Sequence, residues 1–238
     1  MPQSQPVAGI AVPDKQELDV SSKLVASCII ANSRDFYAMT PRLPMLASLL
    51  IVLPLTALAQ CPTAADMTQG VRVTFDNGDT TDLRRMDGTL IEVTERYSLS
   101  MQTWNFELEY GVYSQREIEV SPGGVPIPES EIRFSYPAAL PAPDPAAPAW
   151  QGQREVREFG MGTEQESWQV GFRAMEPVVI GACTYEAVAV GIRLRAGEPD
   201  QKDQFSYFLP ELGAGFVVTW IDEDGRSDTV PLQIEVMR

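Results

Sequence analysis

The chain has 238 residues, with 33 acidic side chains against 18 basic ones and no histidine, which gives a net charge of −15. The missing imidazole excludes a Ser-His-Asp triad, a Cys-His dyad and a histidine-ligated zinc site. The acidic balance argues against a nucleic-acid partner, because contacts to phosphate need a basic surface.

Residues 39–59 have the features of a secretory signal peptide. Arg42 supplies a short basic start, Met45–Leu55 is an apolar run, and Ala57–Ala59 matches the small-x-small cleavage pattern. A retained membrane anchor is the alternative, because the uncharged stretch Leu43–Ala59 is just long enough to span a bilayer. We expect cleavage, a periplasmic or secreted product, and a mature domain that does not span the membrane.

Residues 1–38 do not suit a targeting segment, because they place four acidic side chains ahead of the apolar run. The simplest interpretation is that translation begins at Met39 and that the upstream stretch is spurious. A disordered tail in front of a retained anchor is the other interpretation. Residues 1–59 hold four acidic and four basic side chains, so the net charge of the remainder is also −15. An acidic surface of this kind suits a soluble exported protein.

Apolar and polar residues alternate through the first half of the mature chain, residues 60–136. Alternation with a period of two predicts strands, and the Asn77-Gly78 and Asp87-Gly88 pairs predict hairpin turns between them. The predicted strands are Val71–Phe75, Thr80–Met86, Thr89–Tyr97, Trp104–Val112 and a segment around Ile118–Val120. A short helix near Thr63 is the most helical structure that the pattern allows.

Residues 137–149 form a connector of thirteen residues that contains five prolines and six alanines. Proline cannot donate to a strand ladder, so the connector should be extended, polyproline-like and exposed. It divides the mature chain into a first β half and a second β half, residues 150–238. The second half alternates in the same way, with a further hairpin turn predicted at Asp224-Gly225.

The pattern as a whole predicts an all-β protein, an antiparallel meander of about ten strands. Each sheet should have one wet face and one apolar face, and the apolar faces must meet, close on themselves or cover a ligand. A half-barrel, a small barrel and a sandwich all satisfy this pattern.

Paired carboxylates are the first candidates for chemistry, because a glycosidase needs two acids and no imidazole. Four pairs have the spacing that places both acids on one face of a strand. The pairs are Glu107/Glu109, Glu117/Glu119, Glu129/Glu131 and Glu164/Glu166. The first two pairs alternate with apolar residues, so we interpret them as solvated outer faces rather than as catalytic acids.

No other sequence pattern predicts a cofactor site, a metal site or a catalytic nucleophile. The segment Asp222–Asp228 resembles a calcium loop but lacks a third oxygen ligand before the glycine, and a hairpin turn explains it without a metal. Lys202 is predicted to lie in a polar loop, residues 197–203, where a lowered pKa is not expected. The aromatic residues are interpreted as core, with Trp150 as either an anchor for the connector or a residue at the mouth of a cleft.

The mature chain contains two cysteines, Cys61 and Cys183, one on each side of the connector. An oxidising compartment and an even count favour a disulfide between them. A lipidated Cys61 is one alternative, because residues 58–61 resemble a lipobox apart from Gln60. A buried, unpaired Cys183 is the other.

Two segments of the second half carry a resemblance. Cys183-Thr-Tyr185 followed by Phe205-x-Tyr207-x-x-Pro210-Glu-Leu-Gly213 resembles a pattern in small exported β-sheet proteins of Gram-negative bacteria, which are similar in outline to lipoprotein-carrier-like half-barrels. The resemblance implies a concave sheet that holds acyl chains. The proline-rich connector and the lack of lid helices depart from that family, and no site residue follows from it.

These observations predict a non-enzymatic exported protein that binds a lipid or another lipophilic ligand, or a component of the cell envelope. The first alternative is an envelope interaction module with a protein partner and no small ligand. The second is a carboxylate-based hydrolase.

Overall fold

The computed structural model describes residues 61–195 and 200–238, and the predicted signal peptide and upstream segment lie outside them. Within the described residues the chain forms fifteen strands and two single-turn 3-10 helices, Asp66–Thr68 and Pro128–Ser130. The strands are β1 (Val71–Phe75), β2 (Thr80–Asp87), β3 (Leu90–Arg96), β4 (Thr103–Glu109), β5 (Tyr113–Val120), β6 (Ile132–Ser135), β7 (Trp150–Glu158), β8 (Thr163–Ala174), β9 (Val178–Ile180), β10 (Cys183–Tyr185), β11 (Val188–Leu194), β12 (Lys202–Leu209), β13 (Ala214–Asp222), β14 (Gly225–Asp228) and β15 (Pro231–Val236).

The predicted all-β antiparallel class is confirmed. Thirteen strands form one sheet in the order β14-β13-β12-β11-β8-β7-β6-β5-β4-β3-β2-β1-β15, and β9 and β10 form a separate hairpin. The chain has more strands than the alternation predicted, because β6, β9, β10 and β14 have only three or four residues each and β7 is polar at most positions.

The two edges of the large sheet are consecutive in the chain. β14 ends at Asp228 and β15 begins at Pro231, so only two residues separate the edge strands. The sheet must therefore curl until its edges approach each other. Among the described residues no ladder pairs β14 with β15, so the sheet stays open and does not close into a barrel.

The proline-rich connector does not divide this sheet. β6 precedes the connector and β7 follows it, and the two strands pair from Ile132↔Glu158 to Ser135↔Glu155. Most of the connector is exposed and has no strand structure, but Pro143 is buried. Leu140 packs against the core, and Tyr113 Oη donates a hydrogen bond to Pro141 O at 3.0 Å. The middle part of the connector is therefore held against the sheet.

One hairpin was missed because alternation continues through its turn. The predicted strand Trp104–Val112 ends at Glu109, and Tyr110 and Gly111 adopt φ values of 55° and 69°. These left-handed residues turn the chain directly into β5. Tyr110 occupies a position that usually takes glycine or asparagine, so no turn signal was visible in the sequence.

The end of the curled sheet at this turn is closed, and we refer to it as the closed end. Gly215 N donates to Tyr110 O at 3.0 Å, and Arg85 Nη2 donates to Leu212 O at 2.7 Å. Each bond joins a turn on one side of the curl to a strand on the other side. A buried apolar cluster fills the space between them; it includes Leu83, Ile91, Leu209, Leu212 and Phe216.

The predicted disulfide is confirmed. Cys61 and Cys183 are bonded, with their Cα atoms 5.5 Å apart and a separation of 122 positions in the chain. The bond ties the start of the described chain to β10, and Tyr185 Oη reinforces it by donating to Pro62 O at 3.1 Å. A lipid thioether would need the same Cys61 sulfur, so this pairing and lipidation exclude each other.

Candidate functional site

A cavity of about 650 Å³ occupies the other end of the curl. We call this the open end; the turns at residues 76–79, 97–102 and 159–162 lie at its rim. The strands that line the cavity come from both halves of the chain, so the whole curled sheet contributes to one site. Its apolar lining includes Phe106, Leu108, Phe134, Val156, Trp168 and Ile192.

Aromatic rings form the wall of the cavity that lies nearest to the connector. Trp168, which is 1% exposed, has ring centroids of Trp150, Tyr136 and Tyr113 at 4.7, 5.1 and 5.6 Å. A Cβ atom at Gly152 would overlap the Trp150 ring, so this glycine lets Trp150 fold over its own strand. Trp150 therefore serves as an anchor after the connector. No described residue accepts a hydrogen bond from the buried Trp168 Nε1.

A buried ion pair lies beside these rings. Arg154 Nε donates to Glu166 Oε2 at 2.6 Å, and the two residues are 6% and 9% exposed. The Arg154 guanidinium also lies 4.3 Å from the centre of the Phe134 ring. Arg195 donates to the other Glu166 oxygen at 3.3 Å. Glu166 is therefore neutralised by cations of the chain.

Two further glutamates belong to the inward face but have no such neutralisation. The register aligns Leu83, Val93, Phe106, Glu117 and Ile132 in one row across β2 to β6. The next row contains Thr81, Glu95, Trp104 and Glu119. Glu95 and Glu117 line the cavity and are half-buried.

Burial raises the pKa of both carboxyl groups. At Glu95, a hydrogen bond from Tyr97 Oη at 2.5 Å lowers the pKa again, while the Glu117 and Asp79 charges add to the rise. At Glu117, a hydrogen bond from Ser114 and the charges of Arg154 and Lys202 oppose the rise, and Glu166 adds to it. The proton affinity of both groups is therefore higher than that of an ordinary surface glutamate.

The predicted outer position is right for Glu107 and wrong for Glu117 and Glu119, which both belong to inward rows. Glu107 lies on the outward face, 3.1 Å from Arg116 Nη1. Between these positions the register of β4 and β5 shifts, so Leu108 pairs with Ser114 and Glu107 with Arg116. This bulge reverses which residues of β5 face inward.

Ile118 misled the prediction because it is buried on the outward face. It pairs with Asn105 in the outward row, yet it is 4% exposed. The segment after β5 returns alongside this strand: Ile127 N donates to Glu119 O at 2.8 Å, and Glu119 N donates to Ser130 Oγ at 2.8 Å. For Glu95, by contrast, the signal was present in the sequence, since it continues the inward series Ile91, Val93 on β3.

The structure also places the two remaining acid pairs, the hairpin turn that resembled a calcium loop, and Lys202. Glu164 and Glu166 both line the cavity, whereas Glu131 forms ion pairs with Arg116 at 2.6 Å and Arg133 at 2.9 Å. The turn at Asp224-Gly225 joins β13 to β14, as predicted, and Asp224 N donates to Asp222 Oδ1 at 3.0 Å. Lys202 is not in a loop; it begins β12 and lines the cavity.

The described residues contain neither a metal-binding cluster nor a helix that could span a membrane. Residues 61–195 and 200–238 contain no group of three or more acidic or cysteine side chains arranged to hold a metal ion. The same residues include no helix with the length and apolarity to cross a membrane. Comparison of the chain with protein-family models, with curated proteins and with solved structures gave no match.

Proposed function

We propose that the protein is an exported, non-enzymatic binding protein that holds a small lipophilic ligand in the cavity at its open end. The observation that carries the proposal is the cavity itself. Its volume of about 650 Å³ lies within the range of roughly 300–1,000 Å³ that is typical of small-molecule sites. The curled sheet encloses a space with apolar walls that its own side chains do not fill, although protein interiors are normally close-packed.

The chemistry of the lining supports a ligand with an apolar body. Phe106, Leu108, Phe134, Trp168 and Ile192 would remove apolar ligand surface from water, which stabilises a complex by about 25 cal/mol per Å². The few polar groups between them would orient the ligand. The resemblance to carriers that hold acyl chains on a concave sheet points to the same class of ligand.

Export is the second part of the proposal. The disulfide between Cys61 and Cys183 is compatible with an oxidising compartment. The predicted signal peptide at residues 39–59 would deliver the chain there. Expression in a Gram-negative host should give a periplasmic product whose first residue is Gln60 or Cys61, as read by N-terminal sequencing. Recovery of residues 1–38 on a membrane-bound product would contradict export by cleavage.

The binding proposal is tested by filling the cavity. Val156 lines the cavity from β7, whereas Gln153 is an exposed residue on the same strand. Val156→Trp should abolish saturable binding of the neutral fluorophore N-phenyl-1-naphthylamine, and Gln153→Trp should leave it unchanged. Native mass spectrometry of the periplasmic protein should reveal a small co-purifying ligand. Binding that is equal in both variants would contradict the proposal.

A specific observation favours a protein partner as the second candidate function. Leu99 and Met101 on the β3–β4 turn are 93% and 80% exposed, and Phe159 and Met161 on the β7–β8 turn are also exposed. Exposed apolar side chains grouped on one rim are a common feature of interaction surfaces. Leu99→Asp should then abolish a stoichiometric envelope complex, while Val179→Asp, an exposed position on β9, should not.

A hydrolase would be revealed by turnover. Glu117 and Glu166 both line the cavity and their charges interact, so they form the acid pair to test. Turnover on a panel of glycosides that is lost in Glu117→Gln or Glu166→Gln would replace the binding proposal with the hydrolase alternative.

A further inference from the structure

We infer that the ligand of the cavity carries a positively charged organic amine, which binds between Glu95 and Glu117 against the ring of Phe106, on which Trp104 stacks. This inference rests on the proposed binding function and names the chemical class of the ligand. It follows from the position of the two acids, from the aromatic rings between them and from the pairing of the other charges.

The two carboxylates flank a pair of stacked rings. Trp104 pairs with Glu95 of β3, and Phe106 pairs with Glu117 of β5, so both rings lie on β4 between the acids. The ring centroids are 6.3 Å apart with an angle of 27° between their planes. Aromatic faces attract cations, and they favour organic ammonium groups in particular.

The chain supplies no ion-pair partner to either acid within residues 61–195 and 200–238. Arg154 is already paired with Glu166 at 2.5 Å. Lys202 is close enough to influence Glu117, but it is on β12, on another part of the curl. The outward acids differ: Asp82 binds both Arg72 and Arg96 at 2.6 Å, and Asp203 binds Arg193 at 2.8 Å.

The two unpaired carboxylates lower the stability of the fold and favour the binding of a cation. Half-burying a carboxylate without a partner costs free energy, and the raised pKa values of Glu95 and Glu117 reflect that cost. A bound cation would offset it. Because β4 separates β3 from β5, the backbones that carry the acids are about 10 Å apart. Residues 61–195 and 200–238 hold no group of three or more acidic or cysteine side chains that could ligate a metal ion, whereas an organic cation needs only the two carboxylates and a ring face.

The ammonium group could belong to an amphiphile or to a soluble amine, and matched probes distinguish the two. Decyltrimethylammonium, decyl maltoside and decyl sulfate share one chain and differ in the charge of the head group, while tetramethylammonium has the head group alone. Titration calorimetry below the micelle concentration measures each Kd. We expect decyltrimethylammonium to bind about tenfold more tightly than the maltoside, which corresponds to ~1.4 kcal/mol, and the sulfate to bind least.

Variants connect the preference to the acids. Glu117→Gln and Glu95→Gln should each weaken decyltrimethylammonium binding about tenfold and leave the maltoside Kd unchanged. The unchanged maltoside Kd also shows that the cavity is intact. Glu92→Gln removes the same charge from the outward row of β3 and should have no effect on either probe. Lys202→Met should strengthen ammonium binding by removing a competing positive charge.

The outcomes separate the inference from the proposed function. If no decyl probe binds, the binding function is wrong and the inference falls with it. If the maltoside binds as tightly as the ammonium, or the sulfate binds best, the ligand class is wrong while the binding function remains. Tetramethylammonium binding as tight as that of decyltrimethylammonium would identify a soluble amine as the ligand. Loss of ammonium binding in Glu92→Gln as well would mean that net charge, rather than this site, determines the preference.

Discussion

The two ends of the curled sheet are built from different interactions. At the closed end, apolar side chains fill the curl, one backbone and one side-chain hydrogen bond connect its opposite sides, and a disulfide joins Cys61 to β10. At the open end, the same strands carry glutamates, arginines and a lysine around an empty volume. One sheet therefore combines a stabilising region and a region whose residues disfavour its own stability.

This difference is the one that the proposed binding function requires. A sheet that only needed to fold would have apolar residues over its whole inward face. Here the row that contains Leu83, Val93 and Phe106 continues to Glu117. Binding sites are often placed at such costly positions, because groups that are poorly satisfied alone are available to a ligand. The stability of the closed end offsets the free energy that these groups cost.

The largest expected effect comes from the closed end. Replacing Cys61 and Cys183 together by alanine opens a loop of 122 residues. In the chain-entropy model this should lower the free energy of unfolding by roughly 4–5 kcal/mol, as measured by urea denaturation. Reducing agent added to the unmodified protein should give the same loss. A loss below about 1 kcal/mol would show that the packing of the closed end holds without the bond.

The next effect concerns the buried ion pair of the open end. Glu166→Gln leaves the Arg154 guanidinium buried without its carboxylate, which should cost about 3 kcal/mol of unfolding free energy. Asp203→Asn breaks the more exposed Arg193–Asp203 pair and should cost less than about 1 kcal/mol. Equal effects in the two variants would mean that the cavity wall is hydrated and tolerates a free charge.

A smaller effect tests how the closed end is sealed. A Cβ atom at Gly111 would lie 2.7 Å from Gly215 O, and its φ of 69° already disfavours other residues. Gly111→Ala should therefore cost about 2 kcal/mol in thermal or urea denaturation. Gly88→Ala is the matched control, because Gly88 also has a positive φ but has no atom within 4 Å of its added Cβ. The control should cost about half as much.

The closed end was predictable from the sequence to a large extent. Alternation located most strands, the Asp87-Gly88 turn was recognised, and the count of cysteines gave the disulfide. These features are local, or they depend on composition alone. The hairpin at Tyr110-Gly111 was missed because an aromatic residue in a left-handed conformation gives no turn signal.

The open end was less predictable, because its residues depend on contacts between distant segments. A bulge near Gln115 determines that Glu117 faces the cavity, and a returning loop buries Ile118 on the opposite face. Neither is visible in the alternation of one strand. The pairing of β1 with β15, which curls the sheet, joins residues more than 150 positions apart.

The smallest effect is a gain of stability at the open end. Burial raises the pKa of Glu117, so the folded protein keeps this proton at pH values at which the unfolded chain has lost it. The contribution of Glu117 to the free energy of unfolding should therefore fall as the pH rises above the ordinary glutamate value of 4.5. Glu117→Gln removes this fall, because glutamine stays neutral in both states.

We accordingly expect Glu117→Gln to raise Tm by a few degrees near neutral pH and to change it little in acid, where both states of the unmodified protein carry a protonated carboxyl. Thermal denaturation followed by circular dichroism at the two pH values measures the difference. Glu92→Gln, which changes the charge on the outward face, should not reproduce the pH-dependent gain. A Tm that falls near neutral pH would mean that Glu117 stabilises the fold as a carboxylate. The contrast between a stabilising closed end and a costly open end would then be wrong at the residue on which the ligand inference depends most.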